Sequence, residues 1–270
     1  MKAWAVANQK GGVGKTTTAV NLGGVLAREG HRTLLLDMDP HGSMSAYFGL
    51  DPDAQEHSLY QLFQARKSGQ ALSPARVVCS TGFDNLDMIP AATAMATLDR
   101  QLGAADGMGL VVAQALQGLG DRYEFVLIDC PPQLGVLMIN ALAACQHLII
   151  PVQTEFLAVK GLERMLRTLE MIQRARHKVP AYTILPTMYD PRTRASTGTL
   201  RLLRERFAEH LWRSVIPVDT LFREASRLGV PLTLKAPRDR GSVAYAGLMQ
   251  DLLAGDQASR AGPAPVSVLR

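Results

Sequence analysis

Short unbroken apolar runs alternate along this chain with longer segments in which apolar side chains recur every three or four positions. The runs are Ala3 to Ala7, Arg32 to Asp37, Asn85 to Pro90, Tyr123 to Asp129, His147 to Val152 and Ala181 to Pro186, with a last short candidate at Val215 to Pro217. Runs without polar alternation suit parallel strands covered on both faces. Helical periodicity falls at about Thr16 to Glu29, Leu59 to Arg66, Leu110 to Leu119, Gly135 to Ala144, Val159 to Arg176, Ser196 to Leu211, 219–228 and 241–254. Strands alternating with helices of this length predict right-handed βαβ units, hence an α/β fold with a doubly wound, mostly parallel sheet flanked by helices. There is no internal repeat and no strong linker, so residues 1–254 are expected to form one domain. The segment 255–270, GDQASRAGPAPVSVLR, is small, Pro-containing and unperiodic, and is expected to be a disordered tail.

Composition changes this picture little: of 270 residues, 47% are apolar and 20% charged, ordinary for a soluble protein. No apolar run approaches the ~18 residues of a membrane span, and the chain opens directly in a strand, leaving no room for a secretory signal. Cys79, Cys130 and Cys145 are odd in number and lack metal-ligand spacing, which reads as reduced thiols of a cytoplasmic protein. Charge adds more. The formal net charge is only +5, yet Lys160 to Arg240 holds seventeen basic against eight acidic side chains. That half suits a polyanionic partner, although solvated helix faces account for part of the excess.

The first strand runs into Asn8-Gln9-Lys10-Gly11-Gly12-Val13-Gly14-Lys15-Thr16-Thr17, directly ahead of a helix. Strand, glycine loop and helix start together present backbone N–H groups to a phosphate. Lys15 supplies a charge for the β- and γ-phosphates and Thr16 a hydroxyl for Mg²⁺. The general pattern G-x-x-x-x-G-K-[ST] would need glycine at Gln9, and a second lysine, Lys10, enters the loop instead. Three carboxylates, Asp37, Asp39 and Asp129, close apolar strands, and in open α/β sheets ligands gather beyond those ends. Together with Lys15 and Thr16 they suit a Mg–nucleotide site better than a structural ion-pair cluster.

Lys10-Gly-Gly-Val-Gly-Lys-Thr-Thr17 is the deviant Walker A form, and here the sequence resembles the ParA/MinD family of dimerising ATPases, most of all its ParA partition branch. The likeness extends over residues 1–254, through Asn140-Ala141-Leu142, Leu148 to Val152, Thr187 to Asp190, Ile216-Pro217, Glu224-Ala225 and Arg240-Gly241. The resemblance implies ATP and Mg²⁺ as cofactors. It makes Asp129 the Walker B carboxylate, places Asp37 in the water shell of Mg²⁺, and gives Asp39 the attacking water. Lys10, Gly11, Gly12, Val13, Gly14, Lys15, Thr16 and Thr17 would hold the phosphates, with Lys10, Lys15 and Asp39 catalytic. Met188, Pro217, Val218 and Asp219 would surround the base. In the family Lys10 reaches across an ATP-sandwiched homodimer, acting in trans as an arginine finger does; as a bare residue, a solvated charge is the alternative.

Two departures bear on the cargo. His41 and Ser43 stand where the partition segment D-x-D-P-Q-G-N has Gln and Asn. Val218 and Leu221 stand where many partition ATPases carry arginines, the second of them tied to DNA binding. Arg201, Arg204, Arg206, Arg223 and Arg227 are the remaining candidates for non-specific DNA contact. The His-Gly-Ser form is similar to ParA-like proteins that position chemotaxis and flagellar clusters at cell poles, so DNA segregation and protein-cargo positioning stand nearly level. The expected cycle is ATP-driven assembly on a matrix, then release when a partner protein stimulates hydrolysis. A MinD-like membrane ATPase would need a basic amphipathic C-terminal helix, and the tail reads Pro-Gly-Ala-rich. Small-molecule ligases and iron–sulfur reductases share the loop, but Cys130 lacks a suitable partner cysteine for a cluster.

Overall fold

The computed structural model describes residues 1–98, 101, 107–176 and 180–261. Among these described residues seven strands form one sheet: β1 (Lys2–Val6), β2 (Thr33–Asp37), β3 (Cys79–Phe83), β4 (Leu86–Ile89), β5 (Phe125–Asp129), β6 (His147–Gln153) and β7 (Ala181–Thr187), in the order β3-β4-β2-β5-β1-β6-β7. Every neighbouring pair is parallel except β3 and β4. The register aligns the strand ends. Val6 lies opposite Asp129, and Asp37 lies opposite Asp129 on the other flank of β5. Three strands therefore end level, and the loops that leave them share one edge of the sheet.

Side chains alternate across the pleat, which splits the interior in two. Ala3, Ala5, Leu34, Leu36, Val126, Ile128, Leu148 and Ile150 face α3 (Leu59–Ser68), α4 (Val111–Leu119), α5 (Val136–Ala144), α6 (Phe156–Arg176) and Leu203 of α7 (Arg194–Phe207). Trp4, Val6, Leu35, Leu127, Ile149 and Leu185 face α1 (Lys15–Arg28) and α10 (Arg240–Ala261). Both faces are thus covered, as unalternating strands require. Among the described residues no helix is long and apolar enough to cross a membrane.

Several boundaries depart from the periodicity. Strand β3, CSTGF, is not an apolar run: it is the antiparallel edge strand, alternately half-buried and exposed, with an irregular register between Ser80 and Phe83. Helices α2 (Ser43–Tyr47) and α9 (Leu232–Lys235) are too short to show a helical repeat. Helix α7 stops at Phe207 rather than Leu211, because Ile184 N–H donates to the His210 carbonyl and Trp212 N–H to that of Ile184. Val215 to Pro217 forms no strand; Pro217 makes only an isolated bridge with Tyr189. The last helix continues to Ala261, seven residues past its expected end, while 262–270 lie outside the described residues.

Candidate functional site

The loop after β1 gets its shape from two glycines. Gly12 (φ 72°) and Gly14 (φ 90°) occupy the left-handed region that side chains avoid, whereas Gly11 does not. Gly14 then opens α1 with no side-chain cap, so no side chain at the cap satisfies the first helical N–H groups, which lack partners within the helix. Side chains from other elements pin the loop. Asn8 accepts from Lys10 N–H at 3.0 Å and donates to the Pro151 carbonyl at 2.7 Å, Gln9 donates to Thr168 at 2.9 Å, and Thr187 donates to the Val13 carbonyl at 2.9 Å. Lys15 is buried beneath the loop, its ammonium 3.4 Å from the Lys10 carbonyl.

At the mouth of this loop the Thr16 hydroxyl donates to Asp129 Oδ2 at 2.6 Å, and Asp129 Oδ1 is buried with no hydrogen-bond partner among the described residues. Burial first, then the charge of Asp37 alongside, holds the Asp129 carboxyl well above its ordinary range, against Thr16 and Lys15, which lower it. Asp37 is equally buried but already employed: Oδ2 accepts from Ser45 N–H at 2.8 Å and Ser45 Oγ at 2.7 Å, and Oδ1 from Asp39 N–H at 3.2 Å. Burial outweighs those bonds and pushes the Asp37 carboxyl up to about 6. Asp37 thus anchors the turn 39–45, on which half-buried Asp39 accepts from His41 N–H at 3.0 Å. Gly42 within that turn has φ 60°, and a Cβ there would lie 2.1 Å from Pro52 Cγ. His41 and Ser43 both face solvent.

No group of three or more His, Cys, Asp or Glu side chains close enough to cage a metal occurs among the described residues. A hydroxyl beside one buried carboxylate oxygen is instead what Mg²⁺ uses when water and phosphate supply its other ligands. The donor set fits Mg²⁺ in that way.

A cleft of about 530 Å³ continues from the loop, lined by Gly14, Thr17, Thr187, Met188, Pro217, Val218, Asp219, Phe222 and Tyr245 among others. All four expected base-site residues lie on it. Met188 is held at φ 52°, an uncommon backbone state for a side chain without a polar tip. Arg240 fixes the adjoining segment 217–219, donating to Asp219 Oδ2 at 2.9 Å and to the Val218 carbonyl. Phe222 follows Asp219 by three residues, but no local pattern marks Arg240 and Tyr245 for this cleft, because they come from the last helix, some twenty residues further on.

Lys10 folds back within its own chain and pairs with Glu155, the residue just ahead of α6. Gly161 of α6 leaves room for this, since a Cβ there would stand 3.2 Å from Lys10 Cβ. Glu155 could have been found: it follows β6 at the same sheet edge as the three aspartates. The candidate DNA-contacting arginines do not behave alike. All three arginines of α7 are exposed, but Arg201 lies 3.7 Å from Glu205 and Arg206 is engaged by Glu163 at 2.7 Å, whereas Arg204 forms no ion pair among the described residues. Arg223 of α8 (Leu221–Leu228) lines the cleft, and Arg227 is exposed one turn on. Val218 is 43% exposed and Leu221 half-buried, so neither position offers a charge.

The family model described as an AAA domain matches residues 1–180. The sporulation initiation inhibitor protein Soj of Bacillus subtilis is 35% identical over 254 residues, 94% of this chain and 98% of Soj. The chromosome partitioning protein ParA of Caulobacter vibrioides is also 35% identical, over 94% of each chain. Among solved structures, cobyrinic acid a,c-diamide synthase of Mycobacterium smegmatis, with an ATP analogue and magnesium bound, superposes with a TM-score of 0.81 at 30% identity, covering 96% of this chain and 97% of that one. With its two-glycine loop, second lysine and paired Thr16 and Asp129, the chain belongs to this AAA-domain family, in its ParA/MinD group of deviant Walker A ATPases.

Proposed function

We propose that this chain is a cytoplasmic ATPase that binds Mg²⁺ and ATP, dimerises around the nucleotide and uses hydrolysis to release a positioned cargo. The observation that carries the reading is the buried Asp129 Oδ1, which has no partner among the described residues, beside the Thr16 hydroxyl at the mouth of an uncapped helix start. Thr16 and Asp129 would hold the cation, directly and through water; Mg²⁺ bound there neutralises charge on the β- and γ-phosphate oxygens. The N–H groups after Gly14 and the Lys15 ammonium take the phosphates. Thr17 lies between them and the cleft, where Met188, Pro217, Val218 and Asp219 receive adenine. Asp39, on the turn anchored by Asp37, orients the attacking water.

Lys10 completes the site only from a second subunit, so dimerisation depends on the γ-phosphate and hydrolysis becomes a switch. Soj and ParA are named for sporulation control and chromosome partitioning, which supports a cargo-segregating role. Exposed Arg201, Arg204 and Arg227 support DNA as the matrix, while the apolar Val218 and Leu221 favour a protein cluster. Hydrolysis measured alone, with non-specific duplex DNA at low and physiological salt, and with proteins encoded beside this gene separates these. Turnover that rises with DNA and loses the effect at modest salt is the result for a DNA matrix. Absence of nucleotide-dependent mass doubling would overturn the dimeric switch.

A further inference from the structure

Helix α6 buries Ala158, Val159, Leu162, Met165 and Leu169, and its opposite face is unusual. Leu157, Lys160, Arg164, Arg167, Met171 and Arg174 alternate in steps of three and four, which makes one straight exposed stripe of about 26 Å at 1.5 Å per residue. Leu157 is 68% and Met171 58% exposed, and Phe156 at the stripe's start is 65% exposed. Among the described residues Arg164, Arg167 and Arg174 form no ion pair, while Glu163 is taken by Lys160 and Arg206. Glu170 sits on the flank of the stripe rather than within it.

We propose that this stripe is the docking surface for an acidic amphipathic helix of a partner protein. Apolar and cationic positions at heptad spacing match a helix presenting leucine-like side chains to Leu157 and Met171 and carboxylates to Arg164, Arg167 and Arg174. A second copy of the stripe would set arginine against arginine. Nucleic acid would use the arginines yet leave Leu157 and Met171 without a role. The stripe begins two residues after Glu155, so its occupant lies beside the Lys10–Glu155 pair and can bias it. That coupling rests on the ATPase reading; the docking itself does not.

The test uses the full chain and fluorescence anisotropy with three probes: a labelled helical peptide with leucine and glutamate alternating at heptad seam positions, its glutamine counterpart, and a 24-base-pair duplex. Wild type is expected to bind the glutamate peptide at least about tenfold more tightly than the glutamine one. Combined Arg164→Glu, Arg167→Glu and Arg174→Glu should abolish that preference, and Leu157→Ala with Met171→Ala should weaken binding several-fold. Affinity for a fluorescent ATP analogue should be unchanged in both variants, which also checks folding. No peptide binding by wild type, equal binding of the glutamine peptide, or an arginine variant that loses only duplex binding would each overturn the proposal. A wild-type chain that binds peptide but no ATP would uphold the docking surface and remove the ATPase reading.

Discussion

Lys10 is paired with Glu155 within its own chain, yet its proposed task lies at the phosphates of a second subunit. Removing Lys10 leaves the loop's N–H groups and Lys15 in place. Lys10→Ala should therefore still bind ATP but lose turnover by about 10³ or more, the scale of a charge delivered in trans; single-turnover hydrolysis measures this, and near-wild-type turnover would sink the assignment. Glu155→Gln removes the competing carboxylate, so unstimulated turnover should rise several-fold and begin at lower protein concentration. A fall would show that Glu155 orders Lys10 for catalysis instead. Asp37 makes a pH prediction. Its folded-state pKa of about 6 exceeds the ordinary value of 3.8, so between those values the folded chain holds more protons than the unfolded one. Stability without cation therefore falls as pH rises through that window, by roughly 3 kcal/mol if Asp37 acts alone. Urea unfolding of wild type against Asp37→Asn, from pH 4 to 7.5 in chelator, should show the wild type losing ground across it. A pH-independent difference would contradict the buried, raised carboxyl.

Elements are what place these residues, and two of them can be tested apart from the chemistry. The turn 39–45 tolerates only glycine at 42, where φ is 60° and a Cβ would meet the Pro52 ring. Gly42→Ala should cost on the order of 1–3 kcal/mol in urea unfolding and lower kcat by shifting Asp39, with ATP affinity less affected. The segment Pro217 to Asp219 depends on Arg240, which reaches it from the start of α10. Arg240→Ala should raise the KM for ATP several-fold while leaving kcat nearly unchanged, and the reverse pattern would place Arg240 in the chemical step. The buried strands and long helices were legible from hydrophobic period alone. The elements that period does not show have physical reasons for it: β3 is a polar edge strand, α2 and α9 lack a full repeat, and α7 ends early because the chain after it pairs with Ile184.

At the scale of the whole molecule, Mg²⁺ with ATP should double the mass seen by light scattering, and Asp39→Ala should hold that dimer longer by slowing hydrolysis. A monomer under both conditions would leave Lys10 without a role in trans. By itself the sequence determined the layered α/β architecture, because strands covered on both faces must be apolar throughout. It also determined the phosphate loop, because left-handed backbone at Gly12 and Gly14 and a lysine at 15 are local requirements. Asp37 and Asp129 were marked by their places at strand ends, but only the level register of β1, β2 and β5 set them side by side. Only tertiary packing decided that Asp37 is spent on Ser45 while Asp129 keeps an oxygen open, that Glu155 holds Lys10, and that Arg240 braces the cleft. Lys10 and Glu155 lie 145 residues apart, and even Asp37 and Ser45 meet only because the turn 39–45 folds back, so no local pattern records which partner a folded side chain will meet.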